Sequence, residues 1–126
     1  MIRSEAEVRE LCDRIRQIAY ELHEDLGHGH LEKVYENGLC HRLKKAGFVV
    51  AQQHPLPVYD ADGTLLGDYF ADLLIDNQLI VELKAAKCIG PEHIAQVLGY
   101  LRAARLRDGL LINFGSAKFE IKKLIL

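Results

Sequence analysis

From about Ser4 to Leu26, apolar residues return at helical spacing: Val8, Leu11, Ile15, Ile18 and Leu22. Ser4 followed by Glu7 fits a capping box at the start, and Gly27 and Gly29 break the pattern at the end. This spacing predicts one helix. A second is predicted from about His30 to Ala46. Its apolar stripe is Leu31, Val34, Tyr35, Leu39 and Leu43, and Gly47 sits where a C-terminal cap belongs. Beyond Gly47 the period shortens. Phe48 to Gln52 has strand character, and Pro55 and Pro57 place its continuation near an edge or a bulge. Asp60-Ala61-Asp62-Gly63 is a hairpin turn signal. Strands follow from about Leu66 to Ile75 and from Leu79 to Ala85, joined by the polar turn Asp76-Asn77-Gln78. Pro91 after Gly90 suits the first turn of a helix reaching about Arg105. Gly109 to Asn113 and Phe119 to Leu126 read as short final strands. The order α-α-β-β-β-α-β-β predicts an α/β fold, a mixed central β-sheet flanked by helices.

Two of these strands carry charge inside apolar runs. In Ile80-Val81-Glu82-Leu83-Lys84-Ala85, strand alternation puts Glu82 and Lys84 on one face and Val81 and Leu83 on the other. Taken alone, that pair also fits a solvated strand face with a weak ion pair. Asp72 lies in Phe70-Ala71-Asp72-Leu73-Leu74-Ile75. If the turn is the three residues Asp76 to Gln78, Ile75 faces Leu79 and Asp72 faces Glu82. A two-residue loop would instead set Asp72 opposite Val81. Directly opposed carboxylates repel, and a bound cation removes that penalty. Two carboxylates with a backbone carbonyl between them suit Mg2+, which prefers oxygen ligands and keeps several waters. Such an ion polarises a phosphoryl oxygen and acidifies a bound water. Lys84 is placed to position that water or to steady developing negative charge. The chemistry indicated is metal-assisted phosphodiester hydrolysis.

Helical residues extend the set. Gln96 and Tyr100, four apart, share a helix face just beyond the strand of Glu82 and Lys84. Glu32 opens the second helix after Gly27-His28-Gly29-His30. Gln96 and Tyr100 also fit ordinary polar decoration of a helix at a sheet boundary, and Glu32 fits a first-turn acid that favours the helix dipole.

Together these residues resemble the PD-(D/E)XK nuclease superfamily. The ordered elements are an early helical acid (Glu32), a strand aspartate (Asp72), Glu82-Leu83-Lys84 as E-x-K, and Gln96 with Tyr100 as Q-x-x-x-Y. More narrowly the chain resembles the GxxExxY protein family. Gly29-His30-Leu31-Glu32-Lys33-Val34-Tyr35 carries the namesake motif, and Leu110-Leu111-Ile112-Asn113-Phe114-Gly115 is similar to its closing segment. The likeness covers roughly residues 15 to 126. Asp72 is not preceded by proline, a departure the superfamily tolerates. The resemblance implies a restriction-endonuclease-like core. It implies that Asp72, Glu82 and the Leu83 carbonyl bind Mg2+ or Mn2+, and that Lys84 is the catalytic lysine. Glu32 would support the metal or a water, with Gln96 and Tyr100 auxiliary. Nucleic acid, DNA foremost, is the implied substrate.

Composition narrows the rest. The 126 residues fit one domain, 1–126, and a hydrophobic fraction of 49% suffices for a core. The net charge of -2 excludes gripping nucleic acid through bulk positive charge. Cys12, Cys40 and Cys88 are odd in number and form no CxxC, so free thiols are expected rather than disulfides or structural zinc. No apolar run reaches membrane-spanning length, and MIRSEAEVRE has no signal-peptide core. A soluble cytoplasmic protein is expected. Six histidines show no HExxH spacing, although His28 and His30 precede Glu32. Arg102, Arg105 and Arg107, like Arg42, Lys44 and Lys45, cluster at helix ends, where the dipole favours cations. Asn113-Phe114-Gly115 reads as strand termination and packing. A non-catalytic module that keeps the fold for nucleic-acid or protein binding remains an alternative, as does an RNA or small-molecule phosphodiesterase. A homodimer would enlarge the binding surface for any of these.

Overall fold

The computed structural model describes residues 3–126. In chain order it contains α1 (Glu5–Leu26), α2 (Glu32–Lys45), β1 (Val50–Tyr59), β2 (Leu65–Ile75), β3 (Leu79–Lys84), α3 (Pro91–Ala104), β4 (Asp108–Asn113) and β5 (Glu120–Ile125). The predicted order of elements is the observed one. The strands form a single sheet in the order β1-β2-β3-β4-β5. All neighbours are antiparallel except β3 and β4, which run parallel and are joined across one face by α3. That connection is the βαβ unit a parallel pair requires. No helix among the described residues is long and apolar enough to cross a membrane.

Each face of the sheet has its own apolar layer. Helices α1 and α2 cover Leu73, Ile75, Leu79, Val81, Leu83, Leu110 and Ile112. Helix α3 covers the other face, packing Val97 and Leu101 on Ala71, Leu74, Ile80 and Leu111. Strand alternation therefore sends Val81 and Leu83 under α1 and α2, and Glu82 and Lys84 toward α3.

The ends of the elements follow local chemistry. Ser4 caps α1, its hydroxyl oxygen accepting the Glu7 N–H at 3.2 Å. The reciprocal partner differs from a full capping box, because the Ser4 hydroxyl donates to the Glu7 carboxylate. Helix α2 starts later than the pattern predicts. Leu31 and Val34 do not belong to its buried stripe: they are 79% and 42% exposed. The buried face is Tyr35, Glu36, Leu39, Cys40 and Leu43. Strand β1 runs straight through Pro55 and Pro57, which is tolerated because β1 is an edge of the sheet. Asp76 and Asn77 both adopt left-handed backbone in the β2–β3 turn, a conformation that aspartate and asparagine accept more readily than most residues. The register is then Ile75 with Leu79, Leu74 with Ile80 and Leu73 with Val81, the three-residue-turn alternative. Cys12 and Cys40 are buried free thiols and Cys88 is exposed.

Candidate active site

The ladder between β2 and β3 runs from Ile75 and Leu79 to Leu73 and Val81. One step further, side chains take over the pairing. The Asp72 N–H donates to Glu82 Oε1 at 2.6 Å, and the Leu83 N–H donates to Asp72 Oδ2 at 2.9 Å. Each acid thus closes a backbone donor of the opposite strand. Both are nearly inaccessible, Asp72 at 9% and Glu82 at 3%. Burial of a carboxylate beside another carboxylate disfavours its charged form. Desolvation first, then the Asp72 charge, push Glu82 up to about 9.

Lys84 lies one strand repeat beyond Glu82, on the same face. Its ammonium donates to Gln96 Oε1 at 2.6 Å, and Gln96 Nε2 donates to the Tyr100 hydroxyl at 3.1 Å. The four-residue spacing of Gln96 and Tyr100 on α3 makes this chain possible. Tyr100 is itself raised by burial, by Glu82 and by Asp72, so its phenol lies within the field of the carboxylates. Its ring stands 5.2 Å from that of Tyr69.

Glu32, at the first turn of α2, reaches the same region from the other side. Desolvation and the Asp72 charge raise its pKa, while Lys84 and the Ala85 N–H lower it. The loop before it is held by Tyr35, which is fully buried. The Tyr35 hydroxyl donates to Gly27 O at 2.6 Å and accepts from the His30 N–H at 3.2 Å. The ring stacks on Phe114 with centroids 4.8 Å apart. In Gly29-x-x-Glu32-x-x-Tyr35 the glycine (φ +108°) turns the chain, the tyrosine fixes the turn, and the glutamate is presented. His30 Nε2–H donates to Leu26 O at 3.2 Å; no histidine cluster able to hold a metal occurs among the described residues.

The structure brings Asp72, Glu82, Lys84, Gln96 and Tyr100 together through hydrogen bonds and mutual fields, with Glu32 within the field of Asp72 and Lys84. It also gives roles to residues that sequence reasoning read only as packing or passed over. Asn113 does more than end β4. Its Oδ1 accepts the Ala86 N–H and its Nδ2 donates to Ala86 O, both at 3.0 Å, while Phe114 N–H donates to Lys84 O at 2.8 Å. The chain just after Lys84 is thereby clamped. Gly115 sits against it so closely that an added Cβ would fall 2.3 Å from Ala86 N. Glu36 and Gln53 are the other additions. Gln53 Nε2 lies 2.9 Å from Glu36 Oε1 and 3.1 Å from Asp72 Oδ1. A helical acid and a strand glutamine carry no local signal that would mark them.

The donor set is oxygen only, two buried carboxylates from adjacent strands. Among the described residues no three His, Cys, Asp or Glu side chains gather as a ready-made cage. Two carboxylates fit Mg2+ or Mn2+, ions of this class that are held by one or two acids and complete their shell with water. Burial first, and the Asp72 charge second, displace Glu82 upward; a divalent ion would offset the part due to the neighbouring carboxylate.

Comparison with known proteins agrees with the fold. The family model PDDEXK_3, described as PD-(D/E)XK nuclease superfamily, matches residues 9–124. Among solved structures, the crystal structure of SSO0001 superposes with a TM-score of 0.61 at 16% identity, covering 74% of this chain. The chain spans 48% of SSO0001, and the likeness is one of fold. No curated protein matches this chain.

Proposed function

The chain belongs to the PD-(D/E)XK nuclease superfamily, and on that premise we propose that it is a Mg2+- or Mn2+-dependent nuclease that hydrolyses phosphodiester bonds, with DNA as substrate. In this reading residues 1–126 act as one nuclease-like unit of the GxxExxY kind. Asp72, Glu82 and the Leu83 carbonyl hold the metal. When bound, the ion polarises the phosphoryl oxygen and acidifies a water. The protein's own contribution is charge and position. Lys84 keeps an ammonium beside the carboxylates, where negative charge develops on the phosphorane or the attacking water must be held. Gln96 takes one of its three protons in a hydrogen bond, which fixes where the other two point. Tyr100 in turn fixes Gln96. Glu32 supports the metal or a water from the α2 side.

The single observation that carries this reading is the cross-bonded pair Asp72 and Glu82 with Lys84 anchored on Gln96 beside it. Incubating the protein with linear, circular and single-stranded DNA in the presence of Mn2+ is the direct test. Cleavage by wild type and its loss in Lys84→Ala are expected. No cleavage by wild type, or equal cleavage by Lys84→Ala, counts decisively against it. The net charge of -2 favours one second reading, a binding module that keeps the fold and its metal without turnover. Mn2+ binding with no hydrolysis of DNA, RNA or a small phosphodiester would support that reading.

A further inference from the structure

Gln53 stands where β1 and β2 change face. On β1, Ala51 and Leu56 both pack under α3, and on β2, Leu74 and Ala71 do so. Two-residue alternation forbids that on an unbroken strand, so each strand shifts parity once. The shift falls at Gln53 and Asp72. Gln52 pairs with Leu73 and His54 with Ala71, but the residues between them form no ladder pair. Gln53 has φ of +52°, a left-handed conformation rare for a residue of its kind. The departure from regular strand geometry swings both side chains out of the sheet's two apolar layers and toward each other.

What occupies the resulting space is a string of polar groups. The Gln53 amide donates one hydrogen to Glu36 and one to Asp72. Ionised carboxylates only accept, so the amide must turn its nitrogen to both. Glu36 Oε2 accepts from Lys33 Nζ at 2.8 Å and from Gln52 Nε2 at 2.5 Å. With both oxygens engaged and 2% exposure, Glu36 has no freedom to swing away. Asp72 is therefore held at both oxygens, by Gln53 on Oδ1 and by the Leu83 N–H on Oδ2.

We infer that Gln53, oriented by Glu36, is a positioning residue that fixes the rotation of the Asp72 carboxylate, so that a lone pair of each oxygen is presented in one direction. This rests on the reading of Asp72 as a metal-holding residue. Groups that orient a metal ligand from behind commonly carry a large part of its affinity.

The test uses full-length Gln53→Asn and Gln53→Gly, two residues that accept a left-handed backbone but cannot bridge both acids. Two readouts are taken: Mn2+ affinity by calorimetry, and native-state hydrogen exchange of the Leu83 amide relative to Val81 without metal. Both variants are expected to fold, to lose about ten- to a hundredfold in Mn2+ affinity, and to exchange Leu83 about tenfold faster relative to Val81 as Asp72 turns loose. Glu36→Gln, which keeps an acceptor for Gln53, should retain more affinity than Glu36→Leu. Unchanged relative exchange of Leu83 in either folded variant overturns the inference, whatever the Mn2+ result. If wild type takes up no Mn2+ while Leu83 exchange still accelerates, the metal reading fails and the positioning role stands.

Discussion

Glu82 ties stability to proton concentration through a single side chain. In the unfolded chain it titrates near 4.5, and in the folded protein near 9, because burial and Asp72 oppose its charge. Between those values the folded state holds a proton that the unfolded state has lost, so stability declines as pH rises across the window. Glu32 is displaced in the same direction and adds the same sign. The urea midpoint of metal-free protein is expected to fall from pH 5 to pH 9, and Glu82→Gln is expected to flatten that fall. A midpoint that climbs over this range would contradict the assignment. A divalent cation bound to the pair reverses the trend, since it needs the carboxylates ionised, so Mn2+ affinity should rise with pH over the same interval.

At the level of elements, two devices hold the site from outside it, and each yields an expectation. Tyr35→Phe removes the donor to Gly27 O and the acceptor of the His30 N–H. A loss of about 1–3 kcal/mol is expected from urea unfolding, the usual consequence of stranding buried polar groups. Gly115→Ala would force a methyl against the Ala85–Ala86 backbone. Overpacking of this kind costs about 1–3 kcal/mol, and because the clash falls just after Lys84, cleavage should decline more than stability alone explains. Tyr35 and Gly115 both lie in motifs that carry the family resemblance, but their spacing alone does not show what they hold. The order of elements was legible, and so were the acids and lysine of β2 and β3, because charge inside an apolar strand breaks alternation visibly; the β2–β3 register was legible only as one of two turn lengths. Asn113 and Gly115 look like any strand terminus, since what they clamp is distant in sequence. Glu36 reads as an ordinary helix-surface acid between Tyr35 and Asn37, and its burial depends on Gln52 and Gln53 arriving from β1. Gln53 itself is invisible for the same reason, as nothing in its neighbours announces a left-handed backbone. The exposure of Leu31 and Val34 shows the converse: helical spacing marked them as core, but Leu31 precedes the first turn of α2 and Val34 lies off its buried face.

For the whole molecule, a bound cation acts as a folding ligand. If Mn2+ binds the folded state alone, each tenfold excess over its dissociation constant adds about 1.4 kcal/mol. Thermal midpoints should climb with Mn2+ concentration in wild type and stay level in Asp72→Asn with Glu82→Gln. The sheet also sets an order of events. Its strands lie side by side in chain order, so hairpins β1–β2, β2–β3 and β4–β5 each close over a short loop. The parallel pairing of β3 with β4 is different: it must wait for the chain from Lys84 to Asp108 to cross the sheet with α3 in its path. Closing longer loops carries the larger entropic penalty, which makes this crossover the natural barrier to folding. Its docking residues, Val97 and Leu101, lie on the same helix as Gln96 and Tyr100. The Lys84–Gln96 contact therefore forms only when that helix docks. Truncating Val97 or Leu101 to Ala should slow refolding more than it speeds unfolding. A chain trapped before that step would carry Asp72 and Glu82 with Lys84 still unanchored, so the moment the molecule becomes compact is also the moment the candidate site is complete.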